Sequence, residues 1–272
     1  MKSLTFREAF ARFQAACAGQ WRPSTQTQYD QTNARVFSPT LGPRALNGIK
    51  GEDIQCLLGS LKVRSATRRV YAAYLSAFFN WAINNDLALK NPLRGLAFPL
   101  TDQNPVFPLT LDEAYRILTA AKKGSSIPQY PILAVGLYTG LRAAHVIGLQ
   151  QTHILWDRGL LSFGGGEMKG RQPFIAPFHP ALEGYLKMVP FKVAPRTLRY
   201  ICERVAQRAS VPRFHFHLLR HTFASWMAQV APEAVLTALL GHRTSRNNIT
   251  SLYVHVTLEQ MKEALLKLPM LL

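Results

Sequence analysis

Residues 97–108, AFPLTDQNPVFP, hold three prolines among polar residues and follow neither a helical nor a strand period. Proline fixes φ, offers no main-chain donor and pushes its predecessor out of the α region, so such a stretch neither prolongs a helix nor joins a sheet interior. It therefore forces the 272-residue chain into two bodies, each with its own core. The expected boundaries are a helical unit over 1–96, a linker over 97–108 and a larger unit over 109–272. Hydrophobic residues make up 48% of the chain, enough for two cores.

The first hundred residues read as short helices. Leu4, Ala9, Phe13 and Ala16 fall roughly on one face of a helix over 4–17. Ser24 or Thr25 is placed to cap a second helix running through Tyr29 and Val36, and a third covers 51–60. The strongest pattern spans 65–86, where Tyr71, Leu75, Phe78, Phe79 and Ala82 recur at helical spacing. Arg64, Arg68 and Arg69 stand at its start, either as a solvated face or along a nucleic-acid backbone. Asn91-Pro92 stops the helical region.

Beyond the linker, Thr110 and Glu113 form a capping box that opens a helix with Ala114, Ile117, Leu118 and Ala121 inward. An apolar helix over 131–138 is interrupted by Gly140, which puts Arg142 on the first turn of the next helix. Residues 153–178 look extended: Ile154 to Trp156, a turn at Asp157-Arg158-Gly159, Leu160 to Phe163, a glycine turn at 164–166 and Pro173 to Ile175 suggest a small antiparallel sheet. Lys169 lies in or beside its hairpin. Helices are expected over 179–188, 195–209, 217–229 and 232–240, the last ended by Gly241. The tail opens with Thr257 and Gln260 as a capping box, followed by a stripe of Leu258, Met261, Leu265 and Leu266. The fold class is thus mainly α, with one small antiparallel sheet in the second unit.

The charge constrains the partner. Lys and Arg number 32 against 15 Asp and Glu, a net charge of +17. Residues 1–100 carry +8 and residues 101–272 carry +9, so both bodies are basic. That distribution suits a protein that meets a polyanion along its whole length, with binding that weakens steeply in salt. There is no polybasic run, no long basic amphipathic helix and no apolar run of membrane-spanning length, so a lipid partner is not expected. Cys17, Cys56 and Cys202 are odd in number and widely spaced, and the start MKSLTFREAFARF has no apolar signal core; a reducing cytoplasm is expected.

Four peptides in the second half carry the chemistry: TGLRAAH around Arg142, EMKGR around Lys169, HLLRH from His217 to His221, and LLGHRTSRNNITSLYVH, which spans His242 and Tyr253. Taken singly, each has a bland reading, such as a surface histidine beside an arginine or a half-buried tyrosine. His215, His217 and His221 also resemble part of a zinc site. The residues between them are apolar or cationic, however, and a guanidinium beside a divalent metal is electrostatically wrong, so no metal and no cofactor are expected. A phosphodiester fits the set better. Arg142 and Arg220 each fork two donors onto phosphate oxygens and stabilise the added charge of a pentacoordinate transition state. Tyr253 is the nucleophile, with His217 taking its proton. Lys169 protonates the leaving 5′ oxygen and His242 hydrogen-bonds a phosphate oxygen.

In order and approximate spacing, TGLR, MKGR, HLLRHTFASWMA, LLGH and SLYVHV resemble the tyrosine recombinase, or phage integrase, family, and the first hundred residues, ending NDLALKNP, look like its helical core-binding domain. The resemblance covers nearly the whole chain and is nearest to compact Xer-like members without an arm-binding domain. It implies a two-domain clamp on double-stranded DNA, a mostly helical catalytic domain with a small sheet, and a 3′-phosphotyrosyl intermediate formed without metal or ATP. It implies a homotetramer on two specific recombination sites, joined through the 257–272 tail where that tail does not pack on its own domain, and it leaves room for accessory DNA-bending proteins and for a phage or mobile-element origin. Arg243 and Arg246, between His242 and Tyr253, join Arg64, Arg68 and Arg69 as candidate DNA contacts. Three departures stand out. His145 replaces the usual acid three residues after the first arginine, Leu218 replaces the usual Asp of HxLRH, and 11 positions separate His242 from Tyr253, slightly more than is common. A catalytically weak DNA-binding protein of the same fold, or a DNA-relaxing enzyme with type IB-like chemistry, are the alternatives.

Overall fold

The computed structural model describes residues 4–98, 105–123, 127–168, 172–241 and 256–272. The chain divides into two compact units, Met1–Asn104 and Pro105–Leu272, each around a hydrophobic core of its own.

In the first unit, helix α1 (Phe6–Cys17) opens on a capping box in which Thr5 and Glu8 satisfy each other's main-chain N–H groups. Its buried face is Phe6, Ala9, Phe10, Phe13 and Cys17. The expected Leu4 precedes the helix and Ala16 is exposed, because Phe6, Ala9, Phe10 and Phe13, at i, i+3, i+4 and i+7, set the stripe. Helix α2 (Pro23–Thr32) starts one residue before the expected Ser24 or Thr25 cap: Pro23 occupies N1, where a missing N–H costs nothing. The chain stays helical through a π turn at Asn33–Phe37 and a short α3 (Ser38–Leu41), and the wider turn buries Phe37 in place of Val36. Helices α4 (Gly51–Ser60) and α5 (Ser65–Asn84) complete the unit. Phe78 of α5 is the hub: its ring lies 5.0, 4.9 and 5.6 Å from those of Phe6, Phe10 and Phe13.

The second unit is built around α7 (Gln129–Thr139), buried on every side from Tyr130 to Thr139. Helix α6 (Leu111–Lys122) packs against it after the expected Thr110–Glu113 capping box. The helix α8 (Ala143–Ile147) follows, then strands β1 (Ile154–Leu155), β2 (Leu160–Phe163) and β3 (Phe174–Pro177) in an antiparallel sheet of order β1-β2-β3. Trp156, expected in the first strand, instead begins a 3₁₀ turn that closes on Gly159 at φ +65. The helix expected over 179–188 is cut to a 3₁₀ turn (Pro180–Leu182) and one turn of α9 (Glu183–Leu186). Then come α10 (Pro195–Arg208), α11 (Phe216–Val230), α12 (Glu233–Leu240) and α13 (Leu258–Leu266).

Helix α11 meets α7 closely because Gly136 has no side chain; a Cβ there would stand 2.6 Å from the Phe216 ring and 3.2 Å from Leu219. Helix α13 is capped by Thr257 and Gln260 as expected and buries Met261, Ala264 and Leu265 in the core of its own unit. Leu266, expected in that stripe, is 60% exposed, and Leu268 takes the buried place. The tail is fastened further on: the Tyr138 hydroxyl accepts from the Leu271 N–H at 2.8 Å and donates to the Pro269 carbonyl at 2.7 Å. No described helix is long and apolar enough to cross a membrane.

Candidate active site

Gly140 closes α7 in the left-handed region at φ +61, and the ring of Phe223 fills the space where a side chain would go. The turn delivers Arg142 to the N-cap of α8, one residue earlier than its expected first turn, in extended backbone and half-buried. Arg220, from the first turns of α11, is 6% exposed. Its Nη1 donates to the Gly140 carbonyl at 2.6 Å and its Nη2 to the Leu240 carbonyl at 2.8 Å. One guanidinium thus ties three sequence motifs together, since Gly140 stands two residues before Arg142 and Leu240 two before His242.

The pocket is cationic. Burial, with Arg142 adding to it, pushes Arg220 down to about 10. The two arginines are therefore near enough to repel, a penalty that an anion held between them removes. His217 lies at the start of α11 with its ring 4.7 Å from that of His221 and perpendicular to it. Burial, then His221, Arg220, His215 and Arg142, hold its proton affinity below the ordinary histidine value. It is a neutral imidazole at neutral pH, the form a proton acceptor needs. His215 is lowered by burial and by His221.

His145 projects from the same short helix as Arg142. Its ring packs 5.5 Å from Phe163, and its Nδ1 is buried with no hydrogen-bond partner among the described residues. Burial and Arg142 lower its pKa, opposed by the Glu167 main-chain carbonyl. Leu218 is 2% exposed and faces the core, so that position presents no polar group to the site. Lys169, His242, Arg243, Arg246 and Tyr253 lie outside the described residues. The hairpin leading to Lys169 is described as far as Met168, which is buried. Two residues with no assigned role from sequence, His153 and Glu167, are hydrogen-bonded at that hairpin, His153 Nε2 to Glu167 Oε1 at 2.9 Å. Glu167 was visible only as the first letter of EMKGR; nothing in the sequence singles out His153.

In the first unit, Arg64 is the N-cap of α5 and, like Arg69, is exposed. Arg68 differs. Its Nη2 donates to the carbonyls of Leu61 at 3.0 Å and Val63 at 3.5 Å, stapling the turn between α4 and α5. Among the described residues no group of three or more His, Cys, Asp or Glu side chains could hold a metal ion.

The second unit is thus mainly helical with one three-stranded sheet, and a buried arginine joins the ends of α7 and α12. Residues 191–260 match the phage integrase family. The chain is 27% identical over 262 residues to a tyrosine recombinase of Thermosipho africanus, covering 87% of this chain and 90% of that protein. It is 28% identical over 230 residues to the tyrosine recombinase XerC of Staphylococcus saprophyticus, 76% of each. Among solved structures it superposes on the Tn1549 transposon integrase in complex with circular intermediate DNA with a TM-score of 0.70 at 18% identity, covering 96% of this chain and 99% of that one. A lambda integrase dimer bound to a COC′ core site gives 0.71 at 16% identity, covering 90% and 97%. In sequence and in fold the chain is similar to the tyrosine recombinases.

Proposed function

We propose that this site-specific recombinase cleaves and rejoins double-stranded DNA through a 3′-phosphotyrosyl intermediate on Tyr253, with Arg142 and Arg220 on the scissile phosphate. The observation that carries the reading is the buried Arg220 bridge to Gly140 and Leu240, which fixes the strands of chain leading to Arg142 and to His242 around one cationic point. His217 takes the tyrosine proton, Lys169 gives a proton to the leaving 5′ oxygen, and His242 hydrogen-bonds a phosphate oxygen. Because a transesterification keeps the phosphodiester energy in the protein–DNA bond, neither ATP nor a metal is called for. The first unit serves as a core DNA-binding domain, residues 97–108 as the linker and 109–272 as the catalytic domain. Arg64, Arg69, Arg243 and Arg246 contact the backbone, and the chain works in the cytoplasm. Assembly on DNA as a tetramer is in keeping with the lambda integrase tetramer bound to a Holliday junction, a relative in fold. The cis packing of α13 favours tail exchange only after the Tyr138 contacts open. A non-cleaving DNA-binding protein is the second reading, supported by His145 and Leu218 where acids are usual.

The test is covalent trapping in EDTA on nicked duplexes tiled from DNA flanking the gene, read on a denaturing gel. Wild type is expected to give a shifted protein–DNA band and Tyr253→Phe none, with both binding equally. Salt-sensitive binding without a band from wild type overturns the enzyme reading in favour of the second.

A further inference from the structure

The helix that carries His217 and Arg220 begins without a side-chain cap: His215, the N-cap of α11, makes no cap hydrogen bond. It is anchored instead by the segment of chain that leads into α6. Four consecutive residues of that segment each give a main-chain group to a side chain. The carbonyls of Phe107 and Pro108 accept from Arg213 Nη1 at 2.7 Å and Nη2 at 3.2 Å. The Leu109 N–H donates to Thr222 Oγ1 at 2.9 Å, and the Thr110 N–H to Glu113 Oε2 at 2.9 Å. Glu113 Oε2 also accepts from Arg213 Nη2 at 2.5 Å, which closes the group. Arg213 stands four residues before His217, and Thr222 two residues after Arg220. The same short segment is therefore gripped from both flanks of the reacting stretch.

The inner of the two grips is fully buried. Thr222 is 0% exposed and Leu109 2%. A hydroxyl has one proton to give, and Thr222 gives it to the Leu218 carbonyl at 2.8 Å while it accepts from Leu109. That carbonyl belongs to the residue next to His217. One oxygen thus joins the incoming segment to the turn of α11 that holds both His217 and Arg220. The side chains of Val106 and Phe107 are largely exposed, so polar contacts, rather than burial, locate the main chain before Leu109. A buried N–H left without an acceptor is costly, and this keeps Leu109 and α11 in register.

We propose that Thr222 and Arg213 are positioning residues for the phosphate pocket, locking the segment 107–109 across both flanks of α11's reacting stretch so that His217 and Arg220 are held in place. The inference rests on the recombinase reading, in which those two residues face the scissile phosphate. Neither Thr222 nor Arg213 is a reacting group in that chemistry. Their effect is on the placing of a base and a cation together, and reaction rate falls steeply with small misplacements.

The test separates the hydroxyl from the packing around it. Thr222→Ser keeps the hydroxyl and loses a buried methyl; Thr222→Val keeps the shape and loses the hydroxyl. Both are made in the full chain and compared with wild type on the nicked duplex that traps it, with protein in excess and at a temperature where circular dichroism shows every variant folded. Thr222→Val is expected to slow adduct formation by roughly 10- to 100-fold, with DNA affinity unchanged. Thr222→Ser is expected to react at close to the wild-type rate although its melting temperature falls. Arg213→Gln, at a partly exposed position, repeats the test from the other flank and is expected to slow the reaction in the same way. A wild-type rate from Thr222→Val or from Arg213→Gln overturns the positioning role and leaves the recombinase reading intact. So do rates that follow melting temperature across Thr222→Ser and Thr222→Val, which would make the hydroxyl merely structural. No adduct from wild type on any duplex overturns the recombinase reading itself.

Discussion

Arg142 and Arg220 do different work although both face the same phosphate in the proposed reaction. Arg220 is part of the core: two of its donors satisfy carbonyls at the ends of α7 and α12. Arg220→Ala strips both partners from buried acceptors and is expected to lower stability by about 2–4 kcal/mol, seen as an earlier urea midpoint, as well as to abolish adduct formation. Arg142 is half-buried at an N-cap where its side chain makes no cap hydrogen bond, and its charge works against that of Arg220. Arg142→Ala is therefore expected to leave stability within about 1 kcal/mol of wild type, or to raise it slightly, while removing cleavage. A large loss of stability from Arg142→Ala would mean that this guanidinium is structural too. Acid sensitivity is also argued residue by residue. His145, His179, His215 and His217 all hold protons less tightly in the folded state, chiefly through burial. The unfolded chain then binds more protons, so stability is whole above about pH 6.5, the ordinary histidine value, and falls as pH drops through the lower folded values. Urea midpoints across pH 5 to 8 check this; a midpoint that is flat down to pH 5 would contradict it.

Between α7 and α11, geometry overrules helix propensity. Alanine is favoured over glycine inside a helix by about 1 kcal/mol, which alone makes Gly136→Ala stabilising. The Cβ would meet the Phe216 ring at 2.6 Å, inside any allowed contact, and α11 carries both His217 and Arg220. The expected outcome is a net loss of about 1–3 kcal/mol from overpacking, together with slower cleavage, because α11 has to shift. A stabilised, fully active Gly136→Ala would show that the helices yield easily. Legibility in the sequence follows the same division. Capping boxes at Thr110 and Thr257, the 3.6-residue pattern of α5 and the glycine stops at 140 and 241 are local signals, and they placed those elements. The wrong face for Ala16 and Leu266, and the shortened helix after His179, came from tertiary packing that no local pattern records. Arg142, His217 and Arg220 stood out in the sequence as parts of short peptides, and the fold brings the three near one another. The Arg220 bridge and the His153–Glu167 pair join residues 20, 80 and 14 positions apart, and only folding brings them together.

Charge acts on the scale of the whole chain. The excess is +8 over residues 1–100 and +9 over 101–272, so counterion release from DNA should draw on both units. For duplex binding, the logarithm of affinity falls with the logarithm of salt at about 0.9 per neutralised phosphate. Arg64 and Arg69 are exposed at the start of α5, whereas Arg68 spends its guanidinium on the carbonyls of Leu61 and Val63. Replacing Arg64 and Arg69 together by Gln should therefore lower the salt slope by about 2 without altering the melting temperature. Replacing Arg68 by Gln should act mainly on stability, lowering the melting temperature with little change in slope. Fluorescence anisotropy on the trapped duplex, from about 50 to 400 mM KCl, separates the two classes. An unchanged slope in the Arg64/Arg69 double variant would confine the phosphate contacts to other residues and withdraw the start of α5 from the DNA face. A slope change from Arg68→Gln as large as that of the double variant would mean that its carbonyl bonds open on binding, with the turn between α4 and α5 rearranging on DNA.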